Sequence, residues 1–455
     1  MRAAFTLAML FGLLPGCASL THTPYTRPPA PLPASFAHAG AAAAAPVRAD
    51  RWWRGFNDPS LDALVELAIA RNPDLAAAAV RVRRANLQAR LTGNALLPIA
   101  SGDLSTGLSR PLLGERRAGE TASATLGVSW ETDLFGRLAA ERDAAQFEAL
   151  ATNEDRDAAF LSLVGTAASL HWQIGLANER ITLGEQSLAY ARRTQALIET
   201  QYSAGAVSGL ERREAEQTVT AQEAALSQLR QTRTEAREAL MVLLGGIAPP
   251  GSERQTLDDL TLPVIAPGLP ADLLGRRPDL RAAELRLRRT LASGDATRAS
   301  YYPALTLTGG LGTSSAALLN LIANPVATLG AGLTLPFLNV RAMRFETAIA
   351  RTQYEEAVIL FRKSLLTALA EVENALSART ELAAQGEALG RARAAAVAAE
   401  RLYEVRYRAG AVPVRSWLDA QERRRNADLA LSANRLAQLQ NRIVLHQALG
   451  GGLAQ

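Results

Sequence analysis

The stretch YRAGAVPVRSWLDAQ, Tyr407–Gln421, decides the fold because the chain contains it twice: Tyr202–Glu216 reads YSAGAVSGLERREAE. In both copies a long Ala/Arg/Glu-rich run without proline stops at an Ala-Gly-Ala-Val turn, and a second helical run begins within a few residues. Gly205 and Gly410 supply the left-handed or open backbone that ends a helix, so each copy reads as the turn of a helical hairpin.

Working outward, the whole chain is duplicated. Pro73 is matched by Pro278, Pro98 by Pro303, Gly205 by Gly410, Ala215 by Ala420, and Leu244-Gly245 by Leu449-Gly450, all at one offset, 278 − 73 = 205. Chance helical similarity does not hold one register over five landmarks. Pro73 and Pro278 suit the first turn of a helix, and Pro98 and Pro303 close helices of about 25 residues. No proline falls between Pro111 and Pro249 or between Pro336 and Pro413. Those windows predict helices over about 138–202 and 341–407, on the order of 100 Å each. Return helices of about 37 residues follow over 209–245 and 414–450.

In the first return helix, steps of four and three pick out Ala215, Val219, Gln222, Leu226, Leu229, Arg233, Ala236, Leu240 and Leu243, a coiled-coil-like stripe. The second keeps a different register, with Leu429, Leu436, Leu439 and Ile443 as its clearer stripe.

Between the shorter and the long helix of each half lies strictly alternating sequence. Ala122, Ala124, Leu126, Val128 and Trp130 alternate with small or polar residues. So do Leu305, Leu307 and Leu311, and then Ala327, Leu329, Ala331, Leu333 and Leu335; a weaker copy runs Ala100, Gly102, Leu104. These predict two β-hairpins, about 99–133 and 304–336. Segments of about nine to eleven residues with one apolar face fit strands of a transmembrane barrel, although a soluble sheet with one buried face alternates in the same way. Four strands cannot close a barrel, so a membrane sheet needs several chains.

The 455 residues are rich in Ala, Arg, Leu and Glu, with 5% aromatics, a composition for long helices with thin seams. The net charge is +5, yet Lys363 is the sole lysine and the arginines are interleaved with Glu and Gln, without the basic block or aromatic motif of a nucleic-acid binder. The four histidines, His22, His38, His171 and His446, have no carboxylate or Cys at ligand spacing, and no phosphate-cradling glycine motif is present, so an enzyme is not expected.

At the N-terminus, Arg2 and the apolar run Ala3–Leu14 read as an export signal over residues 1–16, too short to span a bilayer. Leu14-Pro15-Gly16-Cys17 resembles a bacterial lipobox, and Cys17, the sole cysteine, is the expected lipidation site. Residues 17–50, with six prolines from Pro24 to Pro46, read as an extended tether lying outside every packed element. The first repeat is then 51–246, a linker is 247–275, and the second repeat is 276–455.

Three motifs carry a family resemblance over nearly the whole mature chain: the Cys17 lipobox, the strand-to-helix junction Trp130-Glu-Thr-Asp-Leu-Phe-Gly-Arg137, and Asp272-Leu-Leu-Gly-Arg-Arg-Pro-Asp-Leu-Arg-Ala-Ala-Glu284. With the paired Gly-Ala-Val turns, the chain resembles an outer membrane factor of the TolC and OprM kind, in the NodT-like lipoprotein branch. That resemblance implies a mainly α fold with a shared membrane β-barrel. It implies a homotrimer with twelve strands in the outer membrane, an α-helical tunnel in the periplasm, and a belt formed by the short helix near 60–71, the linker and the C-terminus. It implies a passive duct with no cofactor beyond the lipid, no nucleic-acid partner, an inner-membrane transporter, and a periplasmic adaptor docking at the tips Gly205, Ala206, Val207 and Ser208, and Gly410, Ala411, Val412 and Pro413.

The periplasmic gate implied by the family maps to Asp419, whose three copies would form an acidic ring, with Tyr407 and Arg406 holding the hairpins together. Departures are Val412-Pro413 and Ser416 where relatives often carry polar or acidic residues, and Glu211 in place of a common Asp. A type I secretion channel and a poreless periplasmic scaffold or adaptor are the alternatives. Trp417 and Leu418 stand where the first copy has Arg212 and Arg213, so the two tips should do different jobs, the second gating and the first docking.

Overall fold

The computed structural model describes residues 21–29, 32–39, 51–110, 119–315 and 325–451. The signal peptide and Cys17 lie outside the described residues. After a 3-10 turn at Trp52–Phe56 come α1 (Pro59–Arg71), α2 (Pro73–Asn94), β1 (Ile99–Ser109), β2 (Gly119–Thr132), α3 (Arg137–Ser203) and α4 (Gly209–Leu243). The second half repeats the plan as α5 (Pro278–Ala299), β3 (Ala304–Ser315), β4 (Val326–Thr334), α6 (Val340–Arg408) and α7 (Val414–Ala448). Both long windows are single helices, of 67 and 69 residues. The described residues fall into two compact units, one within 1–30, 80–154 and 281–364, the other within 31–79, 155–280 and 365–455.

In the first unit the two hairpins join through β2 and β3 into one antiparallel sheet ordered β1-β2-β3-β4. Register places Leu104 opposite Ala124, Leu126 opposite Leu311, and Leu311 opposite Ala327. Since opposed residues share a face, Leu104, Ala124, Leu126, Val128, Leu307, Leu311, Ala327, Leu329, Ala331 and Leu333 line one side, with Gly102 and Gly309 among them, and most of the Ser/Thr/Gly members line the other. Ser105 and Ser123 hydroxyls meet at 2.7 Å on the polar side. On the apolar side Leu104, Leu126 and Leu329 are exposed, and among the described residues β1 and β4 are each paired along one edge only.

The motif at the strand-to-helix junction has a physical reason at each position. Glu131 grips Arg137 through two contacts of 2.8 Å, and the Asp133 carboxylate accepts from the Leu138 and Ala139 amides, capping α3. Trp130 Nε1–H donates to the Leu96 carbonyl at 3.0 Å.

The core of the second unit gathers Trp53, Phe56, Leu61 and Leu64 with Trp172, Leu240 and Leu257. Its symmetry reaches individual bonds. Asn72 Nδ2–H donates to the Leu243 carbonyl at 2.9 Å, and Arg277, its counterpart one repeat on, donates from Nη1 to the Ala448 carbonyl at 3.1 Å. Both bonds tie the end of a return helix to the start of a shorter one. Just beyond, Gly245 (φ 68°) and Gly450 (φ 90°) turn so closely that a Cβ would lie 2.9 Å from the Arg71 carbonyl oxygen and 2.7 Å from that of Arg276. Gly450→Ala is therefore expected to cost more than the roughly 1–2 kcal/mol of left-handed backbone alone, because backbone must also shift. Gly205→Ala has open space around its Cβ and should cost only the backbone term, a comparison that denaturation midpoints can make.

The first return helix buries its expected stripe: Ala215, Val219, Gln222, Leu226, Ala236 and Leu240 are buried, and Leu229, Arg233 and Leu243 half-buried. The second buries Leu439 and Ile443, with Leu429 and Leu436 half-buried, but it also buries Ser432, Asn434 and Asn441. Asn434 Nδ2–H donates to the Leu382 carbonyl and Asn441 Nδ2–H to that of Ala375, at 3.1 and 3.0 Å. Small residues bring the helices close enough for side-chain amides to reach carbonyls of the neighbouring helix, which satisfies them without an apolar stripe.

One expectation is corrected. The tether is not outside the packed elements: residues 21–29 lie along α5, with Arg27 bound to Glu284 at 2.8 Å and the Thr23 amide to Asp295 at 2.7 Å. Further on, Phe36 is buried and Glu373 accepts from the Ala37 amide at 2.6 Å. Proline keeps such a segment extended, and the intervening polar residues find acids on helices.

Candidate functional site

Both turns are built by the same local chemistry. Gly205 (φ 74°) and Gly410 (φ 73°) end their helices with paired backbone bonds: the Gly205 amide to the Tyr202 carbonyl and Ala206 to Gln201, and equally Gly410 to Tyr407 and Ala411 to Arg406, all between 2.8 and 3.0 Å. They differ in the next step. Ser208 caps α4 with a reciprocal bond, its amide donating to Glu211 at 2.8 Å. Hydrogen bonds from Ser208 hold the Glu211 carboxyl below its ordinary range, which is a direct reason for Glu at this position. Pro413 begins α7 without a side-chain cap, and Val414 is buried instead.

Above the turns, a small cluster joins the hairpins. Trp417, 2% exposed, packs with Ile198, Ala215 and Val414. Its ring stacks on Tyr407 at 5.2 Å and meets Tyr190 edge-on at 5.9 Å. The Tyr407 hydroxyl donates to Gln201 Oε1 at 2.6 Å, linking α6 to α3, and Arg415 lies 3.6 Å from Glu214, linking α7 to α4. Burial pushes the Tyr190 hydroxyl up to about 12, reinforced by the Glu404 and Glu400 charges, so it stays protonated.

The sequence-derived site residues separate in space. Gly205, Ala206, Ser208, Gly410, Ala411 and Pro413 are exposed at the turns, with Val207 and Val412 half-buried. The Tyr407 hydroxyl reaches Gln201 on α3. Arg406 and Asp419 are exposed, and among the described residues neither forms an ion pair. The residues that the motif reading passed over are Gln201, Tyr190 and Glu214. Trp417 was visible as an aromatic without a counterpart in the first copy, but its packing against both hairpins was not.

His171 and His446 make contacts inside the second unit. His171 Nε2 lies 3.2 Å from Asp58 Oδ2, and the half-buried His446 ring stacks on Trp52 at 4.6 Å. Among the described residues no group of three or more His, Cys, Asp or Glu could hold a metal ion.

A duplicated set of helical hairpins with bridged tips, joined to an unclosed sheet with one apolar face, defines a subunit of a TolC-like outer membrane channel. The chain belongs to the outer membrane efflux protein family, whose profile matches residues 64–246 and again 269–451, one copy per half. It is 34% identical to the pyoverdine export outer membrane protein OpmQ of Pseudomonas putida, over 98% of each chain. It is 30% identical to the toluene efflux pump outer membrane protein TtgC of the same species, over 99% of this chain and 96% of that one. Among solved structures, CusC superposes with a TM-score of 0.85 at 26% identity, covering 94% of this chain and 99% of its own. The open state of the Neisseria gonorrhoeae MtrE outer membrane channel gives 0.82 at 28%, covering 95% and 98%.

Proposed function

We propose that the protein is the outer membrane exit duct of a tripartite efflux system, working as a homotrimer that passes small molecules from the periplasm to the outside. The observation that carries this reading is the four-stranded sheet, largely apolar on one face, with β1 and β4 each open along one edge among the described residues. Open edges in hydrocarbon leave backbone groups without partners, and three chains edge to edge would close twelve strands around a polar lumen. Pyoverdine and toluene in the relatives' names support small organic cargo rather than protein. The duct is passive, an inner-membrane transporter supplying the energy and a periplasmic adaptor docking at the turns around Gly205–Ser208 and Gly410–Pro413. Cys17 carries the lipid that anchors the chain to the outer membrane. The duct performs no chemistry and needs no cofactor.

The gate reading is tied to Asp419. It is exposed and forms no ion pair among the described residues. Three copies converging on an axis would attract cations and repel anions. Purified protein in planar bilayers should give a mostly closed pore. Asp419→Ala is expected to raise its conductance and weaken its cation selectivity; unchanged recordings would remove Asp419 from the gate. A detergent-independent monomer without conductance would overturn the duct itself.

A further inference from the structure

The N-terminal strap has a direction. Arg27 and Tyr25 bind Glu284, the Thr23 amide and hydroxyl bind Asp295, and Arg298 Nη2–H donates to the Thr21 carbonyl at 3.3 Å. As the strap's numbering falls from 27 to 21, its partners climb from 284 to 298. The strap therefore runs antiparallel to α5, and its N-terminal end heads toward Ala304, where β3 begins. The Thr21 hydroxyl donates to the Phe135 carbonyl at 2.6 Å, and the Phe135 ring packs on Tyr302 at 4.8 Å.

At that end lies a groove of about 430 Å³ lined by Arg298, Tyr301, Tyr302, Pro303, Phe337 and Met343, among others. Arg298 belongs to both features, holding Thr21 and forming part of the groove wall. Three residues separate Thr21 from Cys17, and four fully extended residue steps cover at most ~14 Å. We propose that this groove seats an acyl chain carried by Cys17, clamping the corner between α5 and β3. The proposal rests on Cys17 being lipidated. Three features favour this occupant over a free lipid: the strap runs toward the groove, Thr21 is bonded to Arg298 of the groove wall, and the rings of Tyr301, Tyr302 and Phe337 with Pro303 and Met343 give the wall a largely apolar surface.

The test uses the full-length protein in its own outer membrane. Cells are fed a palmitate analogue bearing a photoreactive diazirine and an alkyne, irradiated, and adducts on the purified chain are mapped by mass spectrometry. The expected result is label on Cys17 with intramolecular adducts on the peptides containing 298–303 and 337–347. Those adducts should be lost in Cys17→Ser, and lost in Met343→Glu while label remains on Cys17. Label on Cys17 with adducts confined to the strands or to phospholipid would overturn the groove. So would groove adducts that persist in Cys17→Ser, which would mean a free lipid occupies it, or adducts unchanged by Met343→Glu. Absence of any label from Cys17 would overturn the lipidation reading itself, an outcome distinct from the others.

Discussion

Asp58→Ala is expected to destabilise the protein by roughly 3–5 kcal/mol, the range for removing one partner of a buried ion pair. Asp58 is fully buried and serves three elements at once. Its Oδ1 accepts from the Ser60 and Leu61 amides at the start of α1, and its Oδ2 faces His171 on α3 at 3.2 Å and Arg254 of the linker at 3.1 Å. Loss of the cap contributes about 1 kcal/mol. Arg254 keeps Asp259 at 2.6 Å, which limits the penalty on its side. Denaturant unfolding followed by the fluorescence of the buried Trp53 and Trp172 would measure the loss.

The pH dependence has a definite sign. Burial alone would raise the Asp58 carboxyl, but hydrogen bonds from His171, Ser60 and Arg254 outweigh it and hold the group well below the usual carboxylate range. With the folded value below the unfolded one of about 3.9, the stabilisation is complete above that pH and is lost as pH falls through it. Asp58→Asn should therefore flatten the stability profile below about pH 4. Burial, helped by the Arg442 charge, lowers His446 to about 4, so its own loss of stability runs from about pH 6.5 down to about 4. The two contributions occupy different windows and can be separated.

Trp417→Ala should loosen the second tip more than any other single change there. Truncating a buried aromatic costs roughly 3–5 kcal/mol, and Trp417 contacts both the Tyr407 and the Tyr190 rings. Hydrogen exchange should rise over residues 403–420, and, on the gate reading, single-channel conductance should rise with it. Tyr407→Phe removes one bond, to Gln201, and should cost only about 0.5–1.5 kcal/mol. If the two variants gave equal exchange and equal conductance, the aromatic stack would not be what holds the tips.

Much of the fold was legible because its punctuation is local. Proline can open a helix but not continue one, and a left-handed glycine ends one, so the ends of α2, α3, α5 and α6 follow from single residues. The strap was misread because its partners Glu284 and Asp295 stand more than two hundred residues away in sequence and nothing near Thr23 or Arg27 announces them. The stripe of α7 was only half visible for a related reason. Asn434 and Asn441 look like solvent residues until a neighbouring helix offers carbonyls within reach. At the tip, Tyr407 could be placed from the motif, but its partner Gln201 belongs to the other hairpin.

By itself the sequence determined the duplication, the helical hairpins, the alternating strands and the turns, because backbone preference and hydrophobic period act over a few residues. Tertiary structure alone decided that β2 pairs with β3 to merge two hairpins into one sheet, that Asp58 ties three distant elements, and that Trp417 bridges the two tips. Those outcomes depend on which surfaces meet. Contacts between residues far apart in the chain are set by the packing of whole elements, and no local pattern encodes the partner.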